Sequence, residues 1–319
     1  MRLNEIAAED YTSSVLPLTA ELWAGRRTFE SYVSQTLAIA RSGYGRRYYR
    51  TIGLYDDKKL LTSMKRYERS MRFGPMRLRA LGVGAVFTPP ELRGRGYASA
   101  MLAMMLDHAR DEGYDFAYLF SDIRPRFYED LGFATLASRA ITLRADTLSN
   151  QRIQVTRLEE SDWNAVRRCF DLCERMRSWG FLRTPLIWDW IQLRMRQRVD
   201  SPAGALTNLV VRRGRGIAAY VLGTRSAEHD AYILDEFGFA DREAGELIGP
   251  LLRSAAGDLR RITGWLPPEG ARDTLPKASV RKRRDAVLMA LPLSANGRKW
   301  FALASQQRPG DVLWSTDHI

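Results

Sequence analysis

The sequence has few of the side chains that bind metals or form covalent cross-links. Its 319 residues include two cysteines, Cys169 and Cys173, and three histidines, His108, His229 and His318. Two cysteines exclude a disulfide framework and a four-cysteine zinc site, and their spacing of four residues predicts small buried side chains on one helix face. No metal-ligand spacing links the histidines, so we predict no metal site.

Long apolar runs are absent as well. No segment approaches the roughly 20 apolar residues of a membrane-spanning helix, and residues 1–10 are acidic and lack the apolar core of a signal peptide. We therefore expect a soluble, cytoplasmic protein with no membrane partner. Since domains average about 150 residues, the length suggests two of them.

Acidic residues are outnumbered by basic ones. Lys and Arg total 49 against 37 Asp and Glu, which gives a formal net charge of +12 and suggests phosphate-bearing partners, because lysine and arginine release counterions from phosphates. The strongest local signal for nucleic acid is residues 41–50, where four arginines stand among three tyrosines. Most other arginines stand near Glu or Asp on predicted helices, as on solvated faces. Nucleic acid is therefore the less favoured partner, although it stays open, and an anionic small ligand also fits.

Apolar periodicity divides the chain into two halves with the same order of elements. The first half is predicted to have helices over 13–25 and 28–41, strands over 51–55, 59–69 and 76–88, a helix over 97–113, a strand over 116–121, a short helix over 125–131 and a strand over 139–144. The second half is predicted to have helices over 160–178 and 185–196, strands over 206–212, 216–224 and 231–239, a helix over 244–259 and strands over 261–266 and 286–292. Residues 145–151 between the halves are mostly polar and carry no apolar pattern. We therefore predict domains at 1–147 and 148–292, followed by a tail at 293–319.

The segment from Val86 to Ala98 carries the clearest chemical signal. A strand ends there, two prolines interrupt it, and Arg93-Gly94-Arg95-Gly96 leads directly into the best predicted helix. The first N–H groups of a helix lack partners within it and carry partial positive charge, so a diphosphate can bind them. The glycines let the backbone approach the phosphates, and the arginines add charge-assisted contacts.

Two other glycine-loop families fit this segment less well. A nucleotide-triphosphatase loop requires Gly-Lys-Ser/Thr before the helix, which this sequence does not have. A dinucleotide-binding loop requires a small residue three positions after Gly96, where Ser99 stands, but neither Asp115 nor Asp122 ends the second strand of a parallel pair.

The pattern Arg-x-x-Gly-x-Ala, from Arg93 to Ala98, resembles the acyl-CoA loop of the GNAT superfamily of N-acetyltransferases. Val86-Phe87-Thr88 before it resembles the strand end whose backbone pairs with pantetheine in that family. About thirty residues after the loop, Tyr128-x-x-x-Gly132-Phe133 resembles the Tyr-x-x-x-Gly-Phe ending of the family's next strand and helix. Two ordered motifs at this separation make the resemblance specific. It implies an α/β (α+β) fold of mixed, mainly antiparallel twisted sheets flanked by helices.

The resemblance implies an acetyl-CoA-dependent N-acetyltransferase that transfers the acetyl group directly to an amine in a ternary complex, without a metal. It assigns cofactor binding to Val86, Phe87, Thr88, Arg93, Gly94, Arg95, Gly96, Tyr97, Ala98, Ser99, Ser121 and Asp122. It also assigns Tyr128 as the general acid for the leaving thiolate, since a phenol is neutral at pH 7. A backbone N–H near Phe87 or Thr88 would stabilise the oxyanion.

No motif marks the general base. Glu68, near the end of a central strand, is one candidate. The whole chain resembles tandem acetyltransferases of the enhanced-intracellular-survival type, which carry a C-terminal carboxylate in the active site, so the carboxylate of Ile319 is a second candidate. Deprotonation through ordered water is a third. We find no counterpart of the third, sterol-carrier-like domain of that type.

The second half lacks the glycine loop. Asp241 and Glu243 stand where phosphate would bind, so we predict one CoA site per chain and a degenerate second copy. Enzymes of the survival type acetylate aminoglycosides, which are polycations, whereas residues 41–50 and 65–69 look basic. This favours a neutral or anionic small-molecule amine, a peptide N-terminus or a lysine side chain. The rival interpretation is a non-catalytic protein that senses CoA or binds nucleic acid, and a homo-oligomer stays open.

Overall fold

A computed structural model describes residues 1–122, 125–198, 204–214, 216–306 and 312–319. The first half contains β1 (Arg2–Ile6), α1 (Ala8–Ser14), α2 (Leu16–Trp23), α3 (Phe29–Arg41), α4 (Gly43–Tyr48), β2 (Tyr49–Asp56), β3 (Lys59–Phe73), β4 (Met76–Phe87), α5 (Tyr97–Asp111), β5 (Phe116–Ser121), α6 (Pro125–Glu129), β6 (Ala134–Thr135) and β7 (Arg139–Arg144). The second half contains β8 (Val155–Arg157), α7 (Trp163–Arg175), β9 (Trp179–Leu182), α8 (Pro185–Arg196), β10 (Ala205–Leu206), β11 (Leu209–Arg213), β12 (Gly216–Ser226), β13 (Ala231–Phe239), α9 (Arg242–Gly245), α10 (Ile248–Ala256), β14 (Arg261–Trp265), β15 (Ser279–Lys282), β16 (Val287–Pro292) and α11 (Ala295–Gln306).

The strands form two sheets of the same design. The first has the order β1-β2-β3-β4-β5-β16-β6, with β9 paired to β3, and the second has the order β15-β7-β14-β13-β12-β11-β8, with β10 paired to β12. Each sheet has one parallel pair, β4 with β5 and β13 with β14, and its other pairs among the described strands are antiparallel. The expected fold class, mixed and mainly antiparallel sheets flanked by helices, is confirmed.

The sheets exchange strands across the predicted boundary at residue 148. The β7 strand, which precedes the boundary, pairs with β14 and β15 in the second sheet. The β16 strand, which follows it, pairs with β5 and β6 in the first sheet. Periodicity identifies a strand but not its partner. The boundary therefore does not separate the two sheets, and the division into two domains stays a prediction.

The described residues of the C-terminal segment 293–319 contribute to the core. On α11, Trp300 is fully buried, with its ring stacked 4.1 Å from that of Phe116 and 5.9 Å from that of Trp179. Further on, Val312, Leu313 and Trp314 are also buried. Burial of these large apolar side chains fixes the end of the chain against both sheets.

The two parallel strands of the first sheet separate halfway along their length. They pair from Ala80 with Phe116 to Val83 with Leu119, after which β4 continues to Phe87 without a partner in β5. A bulge at the same place leaves Ala85 with a φ of +47°. Beyond Val83 the two strands are no longer paired, which leaves a gap in the sheet between the end of β4 and β5.

Candidate active site

The glycine loop presents free backbone donors at the start of α5. Gly94 and Gly96 have φ values of +76° and +78°, a left-handed backbone that other residues adopt at a cost. Gly96 is the N-cap of the helix, and no side chain of the described residues caps it. The N–H of Ala100 donates to the Gly96 carbonyl at 2.9 Å, so the preceding N–H groups point out of the helix, where an anion can bind.

The neighbouring predicted residues hold the loop in place. The Nε of Arg93 donates to the Thr88 carbonyl at 3.1 Å, and the Phe87 carbonyl accepts from the Thr62 hydroxyl at 2.8 Å. Both arginines of the loop are exposed, whereas Tyr97, Ala98 and Ser99 are partly buried on the first turn of α5. The Phe87 ring is buried and faces Trp23, so the backbone of this strand end borders the gap and the Phe87 side chain points away from it.

The other side of the gap is formed by the end of β5. Ser121 is buried, while Asp122 is exposed and accepts the Ala286 backbone N–H at 2.7 Å. The two residues that follow Asp122 lie outside the described residues. Ser121 ends β5 and Asp122 follows it, and the contact of these two residues with a cofactor stays a prediction.

Tyr128 lies on α6, partly buried in the apolar cluster that contains Val86 and Tyr97. Burial, and after it the negative charge of Asp122, raise the pKa of the Tyr128 phenol to about 12. The phenol is therefore protonated throughout the neutral range, as a group that must donate a proton has to be. Its predicted role as general acid stays a prediction.

A cleft of about 730 Å³ opens on the opposite side of the gap from the loop. Gly84 and Ala85 of β4 line it, together with Lys65 of β3, Phe120 of β5 and Arg194 of α8. The turn after α2 and the turn between β12 and β13 also contribute. The cleft thus draws on both halves of the chain and reaches the separated strands.

The last two residues, His318 and Ile319, lie in the lining of this cleft. A methyl group built on Gly82 would stand 2.6 Å from Ile319 Cδ1, so a glycine at this position of β4 leaves room for the end of the chain. The backbone carbonyl of His318 accepts a hydrogen bond from Arg194. Burial, followed by the charges of nearby arginines, lowers the His318 pKa to about 3, so its imidazole is neutral. Sequence reasoning missed this histidine as a cleft residue.

A buried ionic cluster holds that end of the chain. The Asp317 carboxylate accepts from Arg69 at 2.7 Å and from Arg183 at 3.0 Å, and Arg183 also pairs with Glu236 at 2.7 Å. All four side chains are at most 3% exposed. Burial raises the Asp317 pKa, but the two guanidinium groups outweigh it and hold that pKa below 3.8. Because the four residues come from β3, β13, the segment before α8 and the end of the chain, the cluster joins both sheets to the cleft lining.

Glu68 lies on the face of β3 that points away from the cleft. Side chains alternate along a strand, so Glu68 lies on the opposite face of β3 from Lys65 and Tyr67, both of which line the cleft. Its carboxylate is 3.6 Å from Arg66, which binds Glu112 at the end of α5. Its role as the base stays a prediction, which this placement does not favour.

The Arg/Tyr segment does not form a stacking platform. Residues 43–48 form α4, with Tyr44 buried and stacked on Trp190 at 4.6 Å, and Tyr49 is buried as well. Arg41 pairs with Glu9 at 2.7 Å. Bases stack on exposed aromatic rings, so the segment loses its value as evidence for nucleic acid.

The described segment after β13 has no comparable glycine loop. Asp241 accepts from the Ala244 N–H at 2.8 Å and caps α9, a helix of four residues, and it pairs with Arg213.

Cys169 and Cys173 are buried, and burial raises their pKa values to about 11 and 12. Within the described ranges, His, Cys, Asp and Glu side chains form no group of three that could hold a metal ion. The helices of the same ranges are too short or too polar to span a bilayer.

Residues 8–136 match the family model of an acetyltransferase (GNAT) domain. A structure from Enterococcus faecalis described as a probable N-acyltransferase has a TM-score of 0.72 at 17% identity, over 93% of this chain and 73% of that one. Eis1 from Mycobacterium abscessus has a TM-score of 0.60 at 11% identity, over 92% and 74%. Saccharomyces cerevisiae N-myristoyltransferase with bound myristoyl-CoA has a TM-score of 0.53 at 9% identity, over 91% and 78%. A search of curated protein sequences gave no match.

Proposed function

Since the chain contains a GNAT acetyltransferase domain and is an acyltransferase, we propose that it transfers the acetyl group of acetyl-CoA to a primary amine. The observation that carries the proposal is the glycine loop at the start of α5, which adjoins the gap between β4 and β5. In this arrangement the diphosphate binds the free N–H groups after Gly96. Pantetheine follows the unpaired edge of β4, and the thioester reaches the cleft.

The transfer needs no covalent enzyme intermediate. The amine nitrogen attacks the thioester carbonyl, a C–N bond forms, and the oxyanion accepts a hydrogen bond from the backbone at the end of β4. The C–S bond then breaks, and Tyr128 donates its proton to the departing sulfur. Both described cysteines are buried in the second half, which leaves direct transfer in a ternary complex as the simplest route.

The carboxylate of Ile319 is our candidate for the base that takes the proton from the amine. The ionic cluster around Asp317 fixes the two residues that follow it in the cleft lining. Removing Ile319 moves the terminal carboxylate back to His318 and is expected to lower kcat strongly, whereas Ile319→Ala, which keeps the carboxylate at position 319, is expected to retain kcat. Equal kcat values for both variants and the parent protein would assign the proton transfer to water.

Calorimetry with acetyl-CoA, followed by thiol release with a panel of amines, tests the proposed function. We expect one binding site per chain and turnover of at least one amine. Absence of binding heat would refute the proposal. Binding without turnover of any amine would favour the rival role, a non-catalytic CoA sensor.

A further inference from the structure

The cleft carries more cations than carboxylates. Its basic side chains are Arg26, Arg27, Lys65, Arg194 and Arg198, and its acidic groups are the side chains of Asp122 and Glu228 and the terminal carboxylate of Ile319. Arg26 pairs with Glu228 at 2.8 Å, and Arg198 pairs with Asp235 at 2.6 Å. Among the described residues, the other three cations have no carboxylate within 4.0 Å. They therefore leave a region of positive charge inside the cleft.

Of these three cations, Lys65 is the one without a hydrogen-bond acceptor among the described residues. Its Nζ lies 5.6 Å from the centre of the Tyr11 ring and 6.0 Å from that of Tyr49, and no described residue accepts a hydrogen bond from it. Burial and then the charge of Arg27 lower its pKa to about 8. It stands opposite Gly84, at the bulge where the strands separate, and both residues line the cleft.

Arg194 is also short of acceptors. Its guanidinium group lies 4.5 Å over the Trp190 ring and gives a hydrogen bond to the His318 carbonyl. A guanidinium group has five N–H donors, and Arg194 uses one of them on a described residue. Arg27, by contrast, already uses three of its donors on the neutral oxygens of Trp23, Ala24 and Gln35. Lys65 and Arg194 therefore retain donors for a ligand.

We propose that the acceptor amine carries an anionic group, a carboxylate or a phosphate, that binds Lys65 and Arg194 while the amine faces Ile319. The proposal rests on the proposed function and specifies its substrate class. An anion would supply the acceptors that both cations lack, and such charge-assisted bonds are the stronger ones in proteins. A polycation would instead meet uncompensated positive charge.

Matched amines that differ only at the far end test this. Butylamine, 4-aminobutyrate and 1,4-diaminobutane share a four-carbon chain with a neutral, anionic or cationic end, and ethanolamine with O-phosphoethanolamine forms the phosphate pair. We expect kcat/KM to be about tenfold or more higher for the anionic member of each set, mainly through KM. Preference for the cationic amine, or no preference, would overturn the proposal.

Substitutions then locate the effect. Lys65→Met is expected to remove most of the preference for the anionic amine, and Lys65→Arg to retain it. Lys58→Met removes the same charge from the exposed turn before the strand and is expected to change nothing. An unchanged preference in Lys65→Met would refute the assignment, as would stoichiometric acetylation of Lys65 itself, which would make it the acceptor.

A binding measurement separates this proposal from the proposed function. Protein saturated with CoA is titrated with 4-aminobutyrate and with butylamine. If CoA binds and the anionic amine binds no more tightly than the neutral one, the substrate class is wrong and the enzymatic function stands. If CoA itself does not bind, the proposed function fails.

Discussion

Lys65→Met should stabilise the protein near neutral pH, and the gain should shrink as the pH rises. Lowering a lysine pKa from 10.5 to about 8 means that the folded state binds the proton less well than the unfolded state. At about 1.4 kcal/mol per unit of pKa, this costs the folded protein about 3 kcal/mol below pH 8. The figure is an upper bound, because the half-buried ammonium group retains contact with water in the cleft.

The sign of the pH dependence follows from proton linkage. Between pH 8 and 10.5 the unfolded chain holds the Lys65 proton and the folded chain has lost it, so the stability of the wild-type protein rises with pH across this window. Methionine has no such proton. The stability advantage of Lys65→Met should therefore fall by about 2 kcal/mol between about pH 6.5 and 9.5.

Urea unfolding of the wild-type protein and Lys65→Met at about pH 6.5 and 9.5 measures the stability advantage of the variant and its change with pH. The charged groups around Lys65 are few: Arg27 carries a like charge, and the pKa values of Tyr11, Tyr49 and Tyr67 lie above the tested range. A change in the advantage between the two pH values thus reports on Lys65 itself. An advantage that does not depend on pH, or a variant that is less stable at both values, would refute the reasoning and with it the idea of an unneutralised cation.

Three further predictions concern the rest of the site. Asp317→Asn removes the carboxylate shared by Arg69 and Arg183 and should lower the free energy of unfolding by about 3–5 kcal/mol. Because the Asp317 pKa is lowered, this contribution is present above pH 3.8 and is lost as the pH falls through the lowered pKa. Urea titrations at several pH values will show this loss. Gly96→Ala forces a side chain onto a φ of +78°, so it should cost about 1 kcal/mol of stability and weaken acetyl-CoA binding by calorimetry. Tyr128→Phe should lower kcat about 100-fold or more with the Kd for acetyl-CoA unchanged, and an unaltered kcat in a thiol-release assay would dismiss it as the acid.

The loop could be predicted from the sequence because everything that shapes it is local. Two closely spaced glycines, a strand before them and an amphipathic helix after them occupy one continuous segment, and the structure begins α5 at Tyr97, the predicted residue. The β5 and β13 strands likewise have their predicted bounds. At the N-terminus, where local signals compete, the prediction was wrong: β1 was missed, and the helix expected over 13–25 is interrupted before Leu16, next to Pro17.

Local sequence patterns do not predict which distant segments pair with each other. Nothing local distinguishes β16 as a partner of β5 or β7 as a partner of β14, because any strand with a suitable apolar face satisfies the same alternation. The end of the chain depends on the same kind of information. Asp317 is one carboxylate among many in the sequence, and its two buried arginine partners come from elements 134 and 248 positions away.

The charge of the cleft depends on which face of a strand or helix each charged side chain occupies and on which carboxylate it pairs with. The amino-acid composition contains neither kind of information. Residues 65–69 form a basic segment in the sequence, yet the fold assigns its charges to three different places. Lys65 remains unneutralised in the cleft, Arg66 binds Glu112 on the opposite face, and Arg69 is buried against Asp317. The unneutralised positive charge of the cleft thus comes from Lys65, together with Arg194 from a helix more than a hundred residues away, and from neither of the segment's two arginines. A net charge of +12 could not have selected these two residues, because it does not record which cations line the cleft or which of those lack a carboxylate within 4.0 Å.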